Sequence, residues 1–238
     1  MTFYYPVSTS SRRTSAPPKY RWLPAGGFSL VELLSVIAVL AVLVCLLVPV
    51  ISSMRIRASS TTSASNLRAI GVAMHMYMQE HQGYLPGPII NGQRPFYGTH
   101  PSLDRNLPNF LYPYMGLPEP RERVILMEAF TFPEYLTHDP DMTGPVYFAT
   151  SSLTFGGRRK NPWGYASSDP AKVGSPSMLM YETDVDASTA MLLTEIDQQS
   201  PLINGSQGWS SVLPEKPYHG DIRNQLYLDG SVRAVDVE

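Results

Sequence analysis

From position 28 to position 51 the chain reads FSLVELLSVIAVLAVLVCLLVPVI, an apolar run interrupted by one acid, Glu32. As a helix rising about 1.5 Å per residue it would extend roughly 36 Å, enough to cross a hydrocarbon core of about 30 Å. Fourteen Leu, Ile or Val residues lie between positions 33 and 51. At about −0.3 to −0.6 kcal/mol each they favour insertion by roughly 4–8 kcal/mol, and Glu32, near the end of the run, opposes it by less than about 3 kcal/mol. The pattern predicts a transmembrane helix over 28–54. Pro49 removes one i→i−4 hydrogen bond and is expected to bend that helix.

Past position 54 the pattern changes. Residues 58–82 are polar with one apolar stripe, Leu67, Ile70, Met74, Tyr77 and Met78, whose spacings of three and four mark one face of an amphipathic helix. The helix is expected to continue over 55–83 and to end near His81 or Gln82, with Gly83 as its C′ residue and Pro86 soon after. His75 and His81 lie six apart, which is not a helical metal-ligand spacing.

The remainder, 84–238, reads as a separate α+β domain. Pro and Gly punctuate 84–120 and 198–217, which predicts loops. RERVILMEAF over 121–130 is a short helix candidate after Pro120. Strands are expected over 145–153 and 177–184. The plainest β signal is 224–237, two alternating runs around Asp229-Gly230, where a two-residue type I′ turn is expected. The fold class is therefore α+β: a long N-terminal helix, membrane half plus amphipathic half, packed on a mainly antiparallel sheet with long loops.

Charge orients the molecule. The net charge is −2, yet residues 1–27 hold Arg12, Arg13, Lys19 and Arg21 and no acid. A basic flank before an apolar span keeps that end in the cytoplasm and sends 84–238 across, with Arg55 and Arg57 weakening the asymmetry without reversing it. The acidic remainder offers no basic groove, so nucleic acid is not an expected partner. Cys45, the one cysteine, lies inside the apolar run, so the domain has no disulfide.

Enzymatic motifs are missing. There is no Gly-x-Ser-x-Gly elbow, HExxH, P-loop or Cys/His cluster, and Gly205-Ser206-Gln207-Gly208 is a loop signal. The expectation is that the chain is not an enzyme.

Residues 27–32, Gly27-Phe28-Ser29-Leu30-Val31-Glu32, followed by the apolar helix and preceded by a basic leader, resemble the N-terminal motif of type IV prepilins and type II secretion pseudopilins. The resemblance implies a pilin-like fold, removal of the 1–27 leader by a prepilin peptidase between Gly27 and Phe28, and N-methylation of Phe28. It also implies assembly with other pilin or pseudopilin subunits at an inner-membrane platform. Glu32 would pair there with the Phe28 ammonium of a neighbour, Pro49 would kink the helix, and membrane lipid would hold the free subunit. The implied location is a bacterial inner membrane, single-pass, or an extracytoplasmic filament.

His219, nine residues, then Asp229-Gly230 is similar to a C-terminal processing-associated pattern of prepilin-like proteins. Such proteins often carry Cys-Pro mid-domain, where this chain has Phe132-Pro133. No cofactor is expected. Because some pseudopilins bind calcium near their C-terminal loops, His219 and Asp221 with Asp184 or Asp186 are the residues that would offer a site. An alternative function is a membrane-anchored domain that uses the prepilin export route and binds a ligand such as a glycan, with Trp163, Trp209 and Tyr165 as a stacking surface.

Overall fold

The computed structural model describes residues 28–155, 157–164, 185–203, 205 and 207–237. The chain divides into two compact units, Met1–Leu47 and Val48–Glu238. Helix α1, Leu30–Glu80, is continuous through position 49. Expectations for the 1–27 leader, Tyr165, the 177–184 strand and Asp184 fall outside the described residues.

The second unit is built on a five-stranded antiparallel sheet. With β1 as Gly92–Gln93, β4 as Tyr147–Ala149, β7 as Met191–Glu195, β8 as Ile222–Tyr227 and β9 as Val232–Asp236, its order is β1-β4-β7-β8-β9. Two further ribbons pair β2 (Phe96–Tyr97) with β3 (Ile125–Leu126), and β5 (Leu153–Phe155) with β6 (Arg158–Lys160). Short helices α2 (Leu107–Leu111) and α3 (Pro133–His138) lie between β2 and β4 in the chain. The result is a long helix and an antiparallel sheet domain, an α+β architecture.

The stripe on α1 becomes the core. Leu67, Ile70, Met74 and Met78 are buried and join one apolar cluster with Tyr147, Leu193 and Leu226 of the sheet, and Tyr77 packs half-buried at its edge. Gly71 lets helix and sheet approach closely: a Cβ there would stand 3.0 Å from Leu226 Cδ1. On β4 the side chains alternate. Tyr147 reaches Ser63 on α1, whereas Phe148 joins Ile196 and Leu213 in a second cluster flanked by Trp209. The long loop after β7 thus covers the far face of the sheet, and β4 is buried throughout.

Four local expectations are corrected. Residues 121–130 are not a helix. Gly98 and its neighbours recruit that backbone instead, through Thr99 N–H to Glu122 O, His100 N–H to Arg123 O and the β2–β3 pairing, leaving only the 3₁₀ turn Glu128–Phe130. The 145–153 strand is two strands, β4 and the start of β5.

The helix end also differs. Gln82, not Gly83, is the first left-handed residue after α1, with φ 56°, and Gly83 follows at φ 87°. Gly83 N–H donates to Met78 O at 2.7 Å, the 6→1 bond of a Schellman ending with Gln82 at C′.

The C-terminal hairpin exists, but its loop has three residues, Leu228, Asp229 and Gly230. Gly230 N–H donates to Tyr227 O and Tyr227 N–H to Ser231 O, both at 2.9 Å, and of the three only Gly230 has positive φ. That is a type I turn closed by a left-handed glycine rather than a type I′ pair.

Candidate functional site

The first site is the start of α1. Ser29 accepts from Glu32 N–H at 3.1 Å through Oγ, and Ser29 N–H donates to Glu32 Oε2 at 2.8 Å. Ser29-Leu30-Val31-Glu32 is therefore a capping box, which satisfies two backbone donors reciprocally and starts the helix directly after Phe28. Glu32 has a structural task that the sequence analysis did not assign. The signal was legible, since Ser at N-cap and Glu three residues on is the pattern itself.

Beyond the cap, the apolar side chains find no partner. The large apolar residues between 28 and 56, Pro49 aside, are exposed, from 85 % at Phe28 to 38 % at Ile56. A helix apolar on all sides and covered on none is stable only in an apolar medium or against other helices. By length and composition α1 is able to cross a membrane.

The second site is a buried polar node between α1 and the sheet. Glu195, the last residue of β7, accepts through Oε1 from His219 Nε2 at 2.9 Å, from Asn224 Nδ2 at 3.1 Å and from Ser63 Oγ. Its Oε2 accepts the Asn224 backbone N–H at 2.8 Å. Asn224 Nδ2 also donates to Ser60 O at 3.1 Å, so one amide ties β8 to α1 and to β7 together. Ser63 Oγ lies 3.4 Å from Tyr147 OH, and burial pushes that phenol well above its ordinary pKa. A carboxylate taken out of water is tolerated when four donors surround it.

Next to the node, Arg223 and Asp197 form a buried bidentate pair, Nε to Oδ2 at 2.6 Å and Nη2 to Oδ1 at 2.9 Å. Asp197 Oδ1 accepts Gln199 N–H as well, at 2.8 Å. Sequence reasoning missed Ser63, Glu195, Asp197, Arg223 and Asn224.

Ser63, Glu195 and His219 are residue types of a hydrolase triad, in the wrong order. The carboxylate stands between serine and histidine, so the imidazole has no contact with the hydroxyl it would need to deprotonate. The node ties elements together.

The C-terminal motif residues divide between two places. His219 is buried, its ring 5.2 Å from that of Phe132, and reaches Glu195 rather than across the hairpin. Asp229 and Gly230 form the hairpin turn. Asp229 Oδ1 accepts Ser231 N–H at 2.8 Å and Oδ2 lies 3.8 Å from Arg233 Nη2, and Ser231, its side chain more than its N–H, holds the carboxyl below the ordinary value. A Cβ on Gly230 would stand 3.4 Å from His75 Cε1, so the turn rests against α1.

Of the residues that would offer a calcium site, the described ones, Asp186, His219 and Asp221, are not gathered. Asp186 Oδ1 accepts from Ser188 N–H at 2.9 Å and Ser188 Oγ at 2.7 Å, bonds that lower its carboxyl's pKa. Asp221 lies exposed at the start of β8, its carbonyl accepting Val237 N–H at 2.7 Å, and His219 is committed to Glu195. Among the described residues no group of three or more His, Cys, Asp or Glu is placed to hold a metal.

The two described aromatic candidates take part in packing. Trp163 is buried and donates Nε1–H to Thr150 O at 2.7 Å, and Trp209 is half-buried against Phe148 with ring centroids 6.4 Å apart.

No protein-family model, no curated protein and no solved structure matches this chain. What it does must be argued from the capped apolar helix and the domain that helix helps to build.

Proposed function

We propose that the chain is a structural subunit of the prepilin type, cut between Gly27 and Phe28 and assembled through α1 into a pseudopilus or a type IV pilus-like filament. The supporting observation is the reciprocal Ser29–Glu32 cap, which begins an uncovered apolar helix directly after the Phe28 that cleavage would expose. The same helix goes on to supply the core stripe of the 48–238 unit. In this reading the subunit waits in the inner membrane with its leader in the cytoplasm and its domain outside. Lipid is exchanged for neighbouring helices on assembly.

Within the filament Glu32 would serve twice. One oxygen caps the helix, and the carboxylate faces the Phe28 ammonium of an adjacent subunit, where a charge-assisted bond in a dry surrounding is strong. Mass spectrometry of the membrane-extracted protein tests the reading: a chain beginning at N-methylated Phe28 supports it, and an intact Met1 overturns it.

A further inference from the structure

A groove of about 690 Å³ runs between the first turns of α1 beyond the apolar run and helix α3. Its walls include Arg55, Ser59 and Thr62 from α1 and Glu134 and His138 from α3. The volume falls in the range of small-molecule sites.

Two of its polar atoms are unsatisfied. Ser59 is 2 % exposed, and its Oγ has no hydrogen-bond partner. Glu134 is half-buried, and its Oε2 is shielded yet unpartnered. Shielded polar atoms without partners are rare and destabilising, so a pair of them lining one groove points to something absent that supplies donors. Thr62 and His138 do not fill the role, because Thr62 Oγ1 donates to Ala58 O at 3.1 Å and His138 Nε2 is 2.9 Å from Val212 O.

The groove also holds one charge of each sign. Arg55 is exposed, and among the described residues no ion pair joins it to Glu134. An occupant that satisfies both walls must carry an anion for the guanidinium and a hydrogen-donating cation for the carboxylate. Position selects the source. Arg55 follows Ile51, the end of the apolar run, by four residues of the same helix, a rise of about 6 Å.

We propose that this groove binds the headgroup of a zwitterionic phospholipid with a primary amine, such as phosphatidylethanolamine, with its phosphate on Arg55 and its ammonium on Glu134 beside Ser59. The inference rests on α1 crossing the membrane. A trimethylammonium headgroup has no N–H to donate, and phosphatidylglycerol offers hydroxyls but no cation, so neither gives Glu134 an ammonium partner.

The test uses the full chain, delipidated in detergent and offered equimolar phosphatidylethanolamine, phosphatidylcholine and phosphatidylglycerol, with retained lipid read by native mass spectrometry. Loss of one charge-assisted bond predicts retention of phosphatidylethanolamine over either competitor by about tenfold. Glu134→Gln is expected to abolish the preference over phosphatidylcholine, and Arg55→Gln to lower retention of all three lipids. Both variants should keep the parent's thermal unfolding midpoint. Equal retention of the three lipids, or a preference that survives Glu134→Gln, overturns the proposal. Displacement of the lipid by soluble phosphoethanolamine at equal concentration overturns the lipid source. Carbonate extraction of the chain from membranes overturns the membrane reading and this proposal with it. A carbonate-resistant chain without lipid preference overturns this proposal alone.

Discussion

His219 Nε2 and Glu195 Oε1 lie 2.9 Å apart, with at most 3 % of either side chain exposed. The contact joins the loop before β8 to the end of β7, and Ser63 and Asn224 converge on the same carboxylate. Removing the acceptor and removing one donor are therefore unequal injuries. Glu195→Ala strands donors from three residues and should destabilise the domain by about 3–5 kcal/mol, whereas His219→Ala leaves the carboxylate with its other donors and should cost about 1–3 kcal/mol. Urea unfolding of the detergent-solubilised chain, followed by circular dichroism, measures both. A larger loss for His219→Ala than for Glu195→Ala would contradict the shared-acceptor account.

Glu32→Gln separates the two duties assigned to Glu32. Glutamine serves at N3 of a capping box, so the start of α1 stays intact while the charge disappears. Filament assembly should fail in Glu32→Gln and persist in Ser29→Ala, which weakens the cap by about 1 kcal/mol but keeps the carboxylate. Electron microscopy of cell-surface or overexpressed filaments reads the outcome. Normal filaments from Glu32→Gln would leave the cap as the only role for Glu32.

Gln82 occupies a conformation that suits glycine, with φ 56°. Gln82→Gly should stabilise the chain by about 0.5–1 kcal/mol, raising the thermal midpoint by a few degrees. Gly230→Ala should do the reverse by about 1–2 kcal/mol, because φ there is 81°, although the new methyl would meet His75 only in ordinary contact. Differential scanning calorimetry ranks the two.

Asp229 gives the hairpin an acid limit. Its carboxyl titrates lower in the folded chain than in the unfolded one, chiefly through the Ser231 side chain and, less, its N–H. A depressed acid contributes stability that is complete above its unfolded pKa of about 4 and is lost as pH falls through the folded value. Asp229→Asn should keep the turn and flatten the decline in stability below about pH 4, as seen in thermal midpoints between neutral and acid pH.

Arg223 and Asp197 set a demand for geometry. Arg223→Lys loses the two-pronged contact, and Arg223→Ala leaves Asp197 buried with one fewer partner and should cost about 3–5 kcal/mol. Equilibrium unfolding of the two variants is expected to rank alanine below lysine and lysine below the parent.

Local pattern reveals only part of this. The long helix was legible because its apolar run and its Leu67–Met78 stripe carry their periodicity within a few turns. The hairpin was legible from alternation, though its loop type was not, because Asp-Gly suits both a two-residue and a three-residue turn. Strand β7 escaped notice: Met191-Leu-Leu-Thr-Glu195 is rich in helix formers, and it is a strand because β4 and β8 flank it. The 121–130 helix failed for a related reason, since partners near 96–100 claimed its backbone. The polar node was invisible because Ser63 and Glu195 are 132 residues apart, and an acid at a strand end reads as solvated until its donors are known. The Ser29–Glu32 cap, by contrast, was in plain view.

The Asn224–Ser60 bond spans 164 residues and fixes an order of events. A chain delivered N-terminus first presents the polar face of α1 long before the groups that satisfy it have been made. Its central strand β7 stays an open edge until β8 emerges. The domain therefore completes its fold only when its final twenty or so residues have arrived, and a chain interrupted short of them presents an unsatisfied helix and a bare sheet edge to whatever surveys unfinished proteins.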